Sequence, residues 1–404
     1  MTAPPPANRP SLKERLSLPR AEGVSDLQAA LAFGGRFADE LLSGLPNTLM
    51  PTIQQSLGMS LTQVSLLRQV LDGVAVVVEP VNGLLLDVWP RRRIMAWGAA
   101  GTGLVLILIG AAPGYGMLLL AYALWGMVSG PLAHTGDVVV VESYPTVPDR
   151  AFTRSNLFDT VGALLGPLIV SLTLFAGLPW QLPLYVLGAG GFVYALVILR
   201  AGLPRPPLSD HVGWRGLLQT LQGNIRVVVA DRGARRWLAL LFAFNVLETP
   251  FILKTIWLAQ EAGMSQELIG VYQALELVIA FVSLMVLEWW RQRTSARRVL
   301  LTVIAAVFVL YPLWLFIPGV WSKFLLMPPL GLFFFMFWPL LRGSSLASVP
   351  GKAGVVTAVT ALFGLAPLPL LFGLLADAIG LTPAMFGVHL LALPVLALLA
   401  LQTQ

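Results

Sequence analysis

Arg36, Asp39 and Glu40 fall within little more than one helical turn of an otherwise apolar stretch. Ionisable groups in such surroundings are costly and mark paths for ions, protons or polar solutes. Arg36 precedes the two acids by three and four residues, so on a helix it can pair with either. One guanidinium cannot satisfy both. Glu40, a full turn on, is the better-spaced partner, which leaves Asp39 as the expected proton carrier. A carboxyl group that alternately meets water and protein can take up and release a proton. The alternative is a structural ion pair beside a water-exposed acid at the mouth of a cavity.

Further polar groups interrupt other apolar runs. His134 and Asp137 are three apart and share a helix face, where they can relay a proton, bind a substrate or simply pack. Arg68 and Asp72 have pairing distance, and Asp72 shares a face with Glu79. Asn245, Glu248 and Lys254 lie together, and Pro250 can break the helix and expose backbone carbonyls. Asp159, Glu276 and Arg342 are further candidates, and Trp338 ends an aromatic run that begins at Phe333. Asp39, His134, Asp137, Asn245, Glu248, Lys254 and Trp338 form the expected substrate set. Arg36, Asp39, Glu40, His134 and Asp137 form the expected proton-coupling set. Enzyme signatures are absent. Gly351-Lys352 lacks the rest of a phosphate-binding loop. Three scattered histidines and no cysteine offer no metal site, and no cofactor is expected.

The elements that must position these groups follow from composition. Of 404 residues, 57% are hydrophobic and 11% charged, against roughly 25% charged in a soluble domain. Such a chain cannot cover a water-facing surface, and a nucleic-acid partner is excluded despite the net charge of +6. Membrane-length apolar runs number twelve. They are Leu27–Leu49, Thr62–Leu86, Ile94–Ala112, Tyr115–Val141, Asn156–Gly177 and Leu182–Leu199, then Trp237–Ala259, Leu268–Trp290, Val299–Ile317, Lys323–Ser345, Ala353–Ala376 and Pro383–Leu401. Threaded alternately, 22 of the 26 Lys and Arg residues collect on one side; Arg36, Arg68, Lys254 and Lys323 do not. Basic residues mark the cytoplasmic side, so both termini are expected there, in an inner-membrane protein. Residues 1–26 read as a disordered tail, 27–200 and 237–404 as two six-helix units, and 201–236 as a linker with a proline-rich start. Gly58-Met59-Ser60 recurs as Gly263-Met264-Ser265, Val147-Pro148 as Val349-Pro350, and Gly166-Pro167-Leu168 is echoed by Ala366-Pro367-Leu368. The near-equal offsets indicate two repeats.

One loop carries a family resemblance. Gly83, Asp87, Arg91 and Arg92 resemble the signature between helices 2 and 3 of the major facilitator superfamily, with Val88 and Pro90 departing from it. Glu142, Pro145 and Arg150 resemble its acidic-proline-arginine pattern after helix 4. Gly162 to Pro167 is similar to part of the helix-5 motif of exporters, and 39–67 is loosely similar to the first hairpin of fosmidomycin-resistance-type exporters. The resemblance implies an all-α membrane fold of twelve helices in two pseudo-symmetric bundles. It implies gating by Gly83, Asp87, Arg91, Arg92, Glu142 and Arg150, with Asp87 and Glu142 sharing the arginines when the cavity faces outward. It also implies helices 1, 4, 7 and 10 around a central cavity. The expected activity is proton-coupled export of a small amphiphilic molecule by a monomer in the bilayer. Uptake of a polar solute and a transport-inactive sensor or lipid-binding protein are the alternatives.

Overall fold

Serine and glycine set the ends of the first helical pair. Ser25 caps α1 (Asp26–Leu57): its hydroxyl accepts from the Gln28 N–H while the Gln28 side chain accepts from the Ser25 N–H. Ser60 and Gln63 repeat the arrangement at α2 (Leu61–Val88). Such reciprocal caps satisfy amides that the helix itself cannot. Between them Gly58 takes φ 59°, a left-handed turn that glycine adopts without a side-chain clash. The computed structural model describes residues 19–203, 231–348, 356 and 359–402. Among these residues the chain is helical, without strands.

The first half continues through α3 (Arg91–Gly110), α4 (Tyr115–Ser143), α5 (Pro148–Phe175) and α6 (Leu182–Ala201). The second half opens with α7 (Arg232–Glu248), a 3-10 turn (Thr249–Leu253) and α8 (Lys254–Gln260). Then come α9 (Gln266–Arg291), α10 (Ala296–Phe316), α11 (Val320–Phe334) and α12 (Phe337–Ala347). A second 3-10 turn (Leu362–Leu365), α13 (Leu368–Ile379) and α14 (Leu381–Gln402) complete it. Thus α7 and α8 form one interrupted stretch, as do α11 and α12. The break that Pro250 leads one to expect falls where the sequence places it.

Eleven of these stretches are long and apolar enough to cross a membrane. The twelfth expected span, the first in the chain, is not among them, because α1 carries Asp26, Arg36, Asp39 and Glu40 along with amides and prolines. It is nevertheless a 32-residue helix, about 48 Å long, packed along α4 and α5. It also runs past the expected end at Leu49, through Pro51, to the Gly58 cap. Likewise α5 begins at Pro148 and not near Asn156. Most of the expected tail (1–18) and linker (204–230) lies outside the described residues, as does Val349-Pro350.

The repeat at Gly58 and Gly263 has a structural basis. Gly263 also has positive φ, 68°. Met59 and Met264 are both buried, and Ser60 and Ser265 both precede the next helix at its N-cap. Glycine also decides how α1 meets α5. A Cβ on Gly162 would overlap the Phe37 carbonyl, and one on Gly166 would sit 3.0 Å from Leu41 O. Small residues here let two backbones touch.

Among the described residues, several hydrogen bonds join the halves near the Gly58 and Gly263 turns. Gln260 Nε2 donates to Gln54 Oε1 (2.7 Å), and Ser171 Oγ to Glu267 O (2.7 Å). The Leu61 and Thr62 N–H groups donate to the Asp377 carboxylate at 3.0 and 2.9 Å. An aspartate of α13 thereby caps the N-terminus of α2, where the helix dipole favours negative charge. Among the described residues, the hydrogen bonds joining the halves lie at this end or partway in, at Gln69 Nε2 to Gly364 O (3.2 Å).

Candidate functional site

Between the halves lies a cavity of about 370 Å³. From the first half, Asn47 and Met50 of α1, Val64, Arg68 and Asp72 of α2, and Tyr122 of α4 line it. From the second half come Asn245, Glu248, Lys254, Gln273 and residues of both 3-10 turns, including Phe251 and Phe363. The helix interruptions therefore border the cavity: α7 stops at Glu248, and its 3-10 turn carries Thr249, Phe251 and Ile252 along the wall. Broken helices at membrane depth are tolerated where they line a cavity.

Two ion pairs organise the charge. Arg68 Nε donates to Asp72 Oδ2 at 2.9 Å, as their spacing predicts. Lys254 Nζ lies 2.6 Å from Glu276 Oε1, joining α8 to α9, and 5.3 Å from the centre of the Phe251 ring. The Glu248 carboxylate makes no hydrogen bond or ion pair among the described residues, and Glu248 lines the cavity. Tyr122 Oη and Gln273 Oε1 are buried without a hydrogen-bond partner in the protein. A polar occupant would satisfy both.

A second charged cluster sits deeper in the first half, and it corrects the expectation for Arg36. Arg36 does not pair with Glu40. Its Nε donates to Asp137 Oδ1 at 3.0 Å and its Nη1 lies 3.4 Å from Asp159 Oδ1. Ser155 Oγ also donates to Asp137, at 3.4 Å. The close approach of α1 to α4 and α5 brings these carboxylates over from neighbouring helices. A guanidinium has donors for both. The Asp39 and Glu40 carboxylates are left without a hydrogen bond or ion pair among the described residues. Arg36 precedes Asn47 by eleven positions on α1, about 16 Å along its axis.

The expected substrate set accordingly splits. Asn245, Glu248 and Lys254 line the cavity; Asp39, His134, Asp137 and Trp338 do not. His134 shares a face with Asp137 but no hydrogen bond. It is exposed, and a Cβ on Gly130 would lie 3.4 Å from both its ring and the Asn82 amide nitrogen. Trp338 is 52% exposed, with the Arg342 guanidinium 5.9 Å from its ring centre.

Of the expected gate, Arg91 is buried and holds Glu142 with both terminal nitrogens, one at 2.7 Å. This pair joins α3 to α4 inside one half. Arg92 and Arg150 are exposed; the Asp87 side chain and the burial of Gly83 lie outside what is described.

Sequence reasoning missed several residues. Tyr122, Gln273 and Asn47 carry no charge to flag them. Lys254 and Glu276 were candidates, but nothing in their spacing joins them. Asp377 sits near the end of an apolar run, where a lone carboxylate gives no signal of what it caps. Lys323 is buried because its ammonium donates to the Trp314 and Ile317 carbonyls (2.6 and 2.7 Å) that end α10, beside the Trp257 ring.

Interrupted helices around a charged cavity between two repeat-related halves are features of membrane transporters. The Major Facilitator Superfamily model matches residues 32–366, and the chain belongs to that family. It is an integral membrane protein of the transporter class, not an enzyme. Over 151 residues it is 34% identical to the puromycin resistance protein pur8 of Streptomyces alboniger, a match taking in 35% of this chain and 28% of that protein's length. The fold is similar to a bacterial homologue of the human lysosomal transporter Spinster, in an inward-facing, unoccupied conformation. There the TM-score is 0.72 and the identity 15%, over 94% of this chain and 95% of that one. It is also similar to the nucleoside transporter NupG, with TM-score 0.71 and 16% identity over 94% and 98% of the two chains. A peptide transporter gives TM-score 0.73 and 13% identity over 95% and 96%.

Proposed function

We propose that this protein is a secondary active transporter that exports a small amphiphilic molecule in exchange for protons. The observation that carries this reading is the charged cavity walled by both halves, with the halves hydrogen-bonded toward one end. In this reading α1 is the twelfth span, and residues 27–200 and 237–404 form two six-helix bundles that rock about the cavity. The basic side faces the cytoplasm, both termini lie there, and the protein works as a monomer in the inner membrane. Asp39 and Glu40, unpaired beside the Arg36 cluster, are the proton-carrying groups. Arg91 and Glu142 stabilise the α3–α4 end of the first bundle, and Asp87 acts with them as the gate. The resemblance to a puromycin resistance protein supports export. The strongly charged cavity lining favours a second reading, uptake of a polar solute, in which the same cavity and protons serve the opposite direction.

Proteoliposomes with an imposed pH gradient test the coupling. Asp39→Asn is expected to abolish gradient-driven transport while keeping exchange at equal pH. Normal accumulation by Asp39→Asn would remove it as the carrier. The sign of the gradient that drives accumulation separates export from uptake. The chain has no native cysteine, so single cysteines at Gln55 and Arg232 report the topology cleanly. They should label from opposite sides of a sealed cell; labelling of both from outside would refute the twelve-span arrangement.

A further inference from the structure

The charges around the cavity do not cancel. Arg68 is paired with Asp72 and Lys254 with Glu276. Glu248 then remains as one carboxylate without a partner, at the wall where α7 breaks off. The charged residues of the lining are Arg68, Asp72, Glu248 and Lys254; Glu276 neutralises Lys254 from outside the lining, so Glu248 is the charge left over. Arg68 has its Nε engaged by Asp72, and Arg68, Asp72 and Glu248 together carry one net negative charge. The apolar part of the lining is aromatic and aliphatic: Phe251, Phe363, Met50 and Val64.

We propose that this cavity is a binding site for an amphiphilic organic cation, with Glu248 as its counter-ion. The inference rests on the transporter reading and names its substrate class. A permanently or stably charged amine would place its cationic centre against Glu248, completing the charge balance that the two ion pairs leave open. Its apolar body would lie against Phe251 and Phe363, whose ring faces also attract cations. Tyr122 Oη and Gln273 Oε1 are available for a polar substituent on the same molecule. An anion of equal size would face an uncompensated carboxylate in a site partly shielded from water, where like-charge repulsion is strong. The volume of about 370 Å³ falls in the range of small-molecule sites, roughly 300–1,000 Å³.

Tetraphenylphosphonium and tetraphenylborate have nearly the same shape and opposite charge, which makes them the probes of choice. Their binding to the full-length protein, purified in a non-ionic detergent, is measured by quenching of tryptophan fluorescence. Wild-type protein should bind the phosphonium saturably and in preference to the borate. Glu248→Gln should weaken phosphonium binding by about tenfold or more. Glu248→Asp should keep most of it, and Glu288→Gln, a carboxylate removed outside the cavity, should change nothing. If Glu248→Gln does not fold, the wild-type preference and Glu248→Asp still decide the matter. Preference for the borate, no saturable phosphonium binding, or wild-type binding by a folded Glu248→Gln would each overturn the proposal. Because binding in detergent needs no transport, the two readings fail separately. Phosphonium binding without any gradient-driven flux in proteoliposomes would count against transport alone, whereas flux with no charge preference would count against the cation site alone.

Discussion

In the first half of the chain, α1 to α6 each run unbroken although α1, α2, α4 and α5 contain prolines at 46, 51, 80, 131 and 167. Among the described residues of the second half, three stretches are interrupted, at 249–253, 335–336 and 362–367. The first half binds its helices through close glycine contacts and through one arginine that holds two carboxylates from neighbouring helices. The second half presents two of its turns, at 249–253 and 362–367, to the cavity. Proline alone therefore does not decide where a helix breaks. Pro131 sits inside α4, where Thr135 Oγ1 accompanies it by donating to the Pro131 carbonyl (2.6 Å). Pro250 follows Thr249, whose hydroxyl donates to Asn245 O (2.8 Å), and there the helix tightens to a 3-10 turn. The difference assigns a rigid frame to one half and adjustable backbone to the other.

The largest expected effect is on the ion pair that braces the broken segment. Lys254→Ala leaves Glu276 alone in a site where both side chains are mostly buried, and should cost on the order of 3 kcal/mol of stability. A thermal unfolding scan in detergent reads this as a clear fall in Tm. An unchanged Tm would show that the pair does not brace α8 against α9. Next is the frame itself. Gly162→Ala forces a methyl group into the Phe37 carbonyl and should cost roughly 1–3 kcal/mol. Gly343→Ala, with nothing within 4 Å of its Cβ position, should be neutral or slightly stabilising. Equal effects in the same unfolding scan would erase the contrast between a tightly packed first half and a looser second.

Function should respond in the opposite order. Pro250→Ala is expected to slow transport more than Pro131→Ala, with stability changes within about 1 kcal/mol for either. Initial rates in proteoliposomes compare the two, and a greater loss in Pro131→Ala would reverse the assignment of adjustable backbone. The smallest shift is expected from Asp377→Asn. It weakens the charge on the α2 N-terminus by about 1 kcal/mol, enough to raise the fraction of molecules with that end parted. Faster alkylation of a cysteine at Thr62 would register the change; unaltered alkylation would mean that the contact does not hold the halves together.

Much of this was legible in the chain. Local spacing revealed Arg68 with Asp72, the interruption after Glu248, and the paired Gly-Met-Ser turns, because each depends on residues within a turn or two of one another. The Arg91–Glu142 pair was legible through a family pattern. Spacing along α1 misled for Arg36, since its true partners arrive on α4 and α5 and only the packing of three helices sets their distance. The same limit applies to the cavity. Asp39 and Asn245 look equally suitable as polar groups in apolar runs, yet about 16 Å of helix rise separates the level of Arg36 from that of Asn47, so only one of them reaches the site. Asp377 escaped notice because a carboxylate at a helix N-terminus contributed by another part of the chain leaves no local trace.

The central claim is that the two halves move about the cavity, parting at the end where Gln54 meets Gln260. Spin labels on cysteines introduced at Gln55 and Glu261 measure that separation directly by pulsed electron paramagnetic resonance, in a chain that has no other cysteine. The resting protein should give a short distance, matching the hydrogen-bonded end. Reconstituted protein with saturating tetraphenylphosphonium, across a pH series, should show a second and longer distance whose population changes with conditions. A single short distance under every condition, in protein that still transports, would contradict the account.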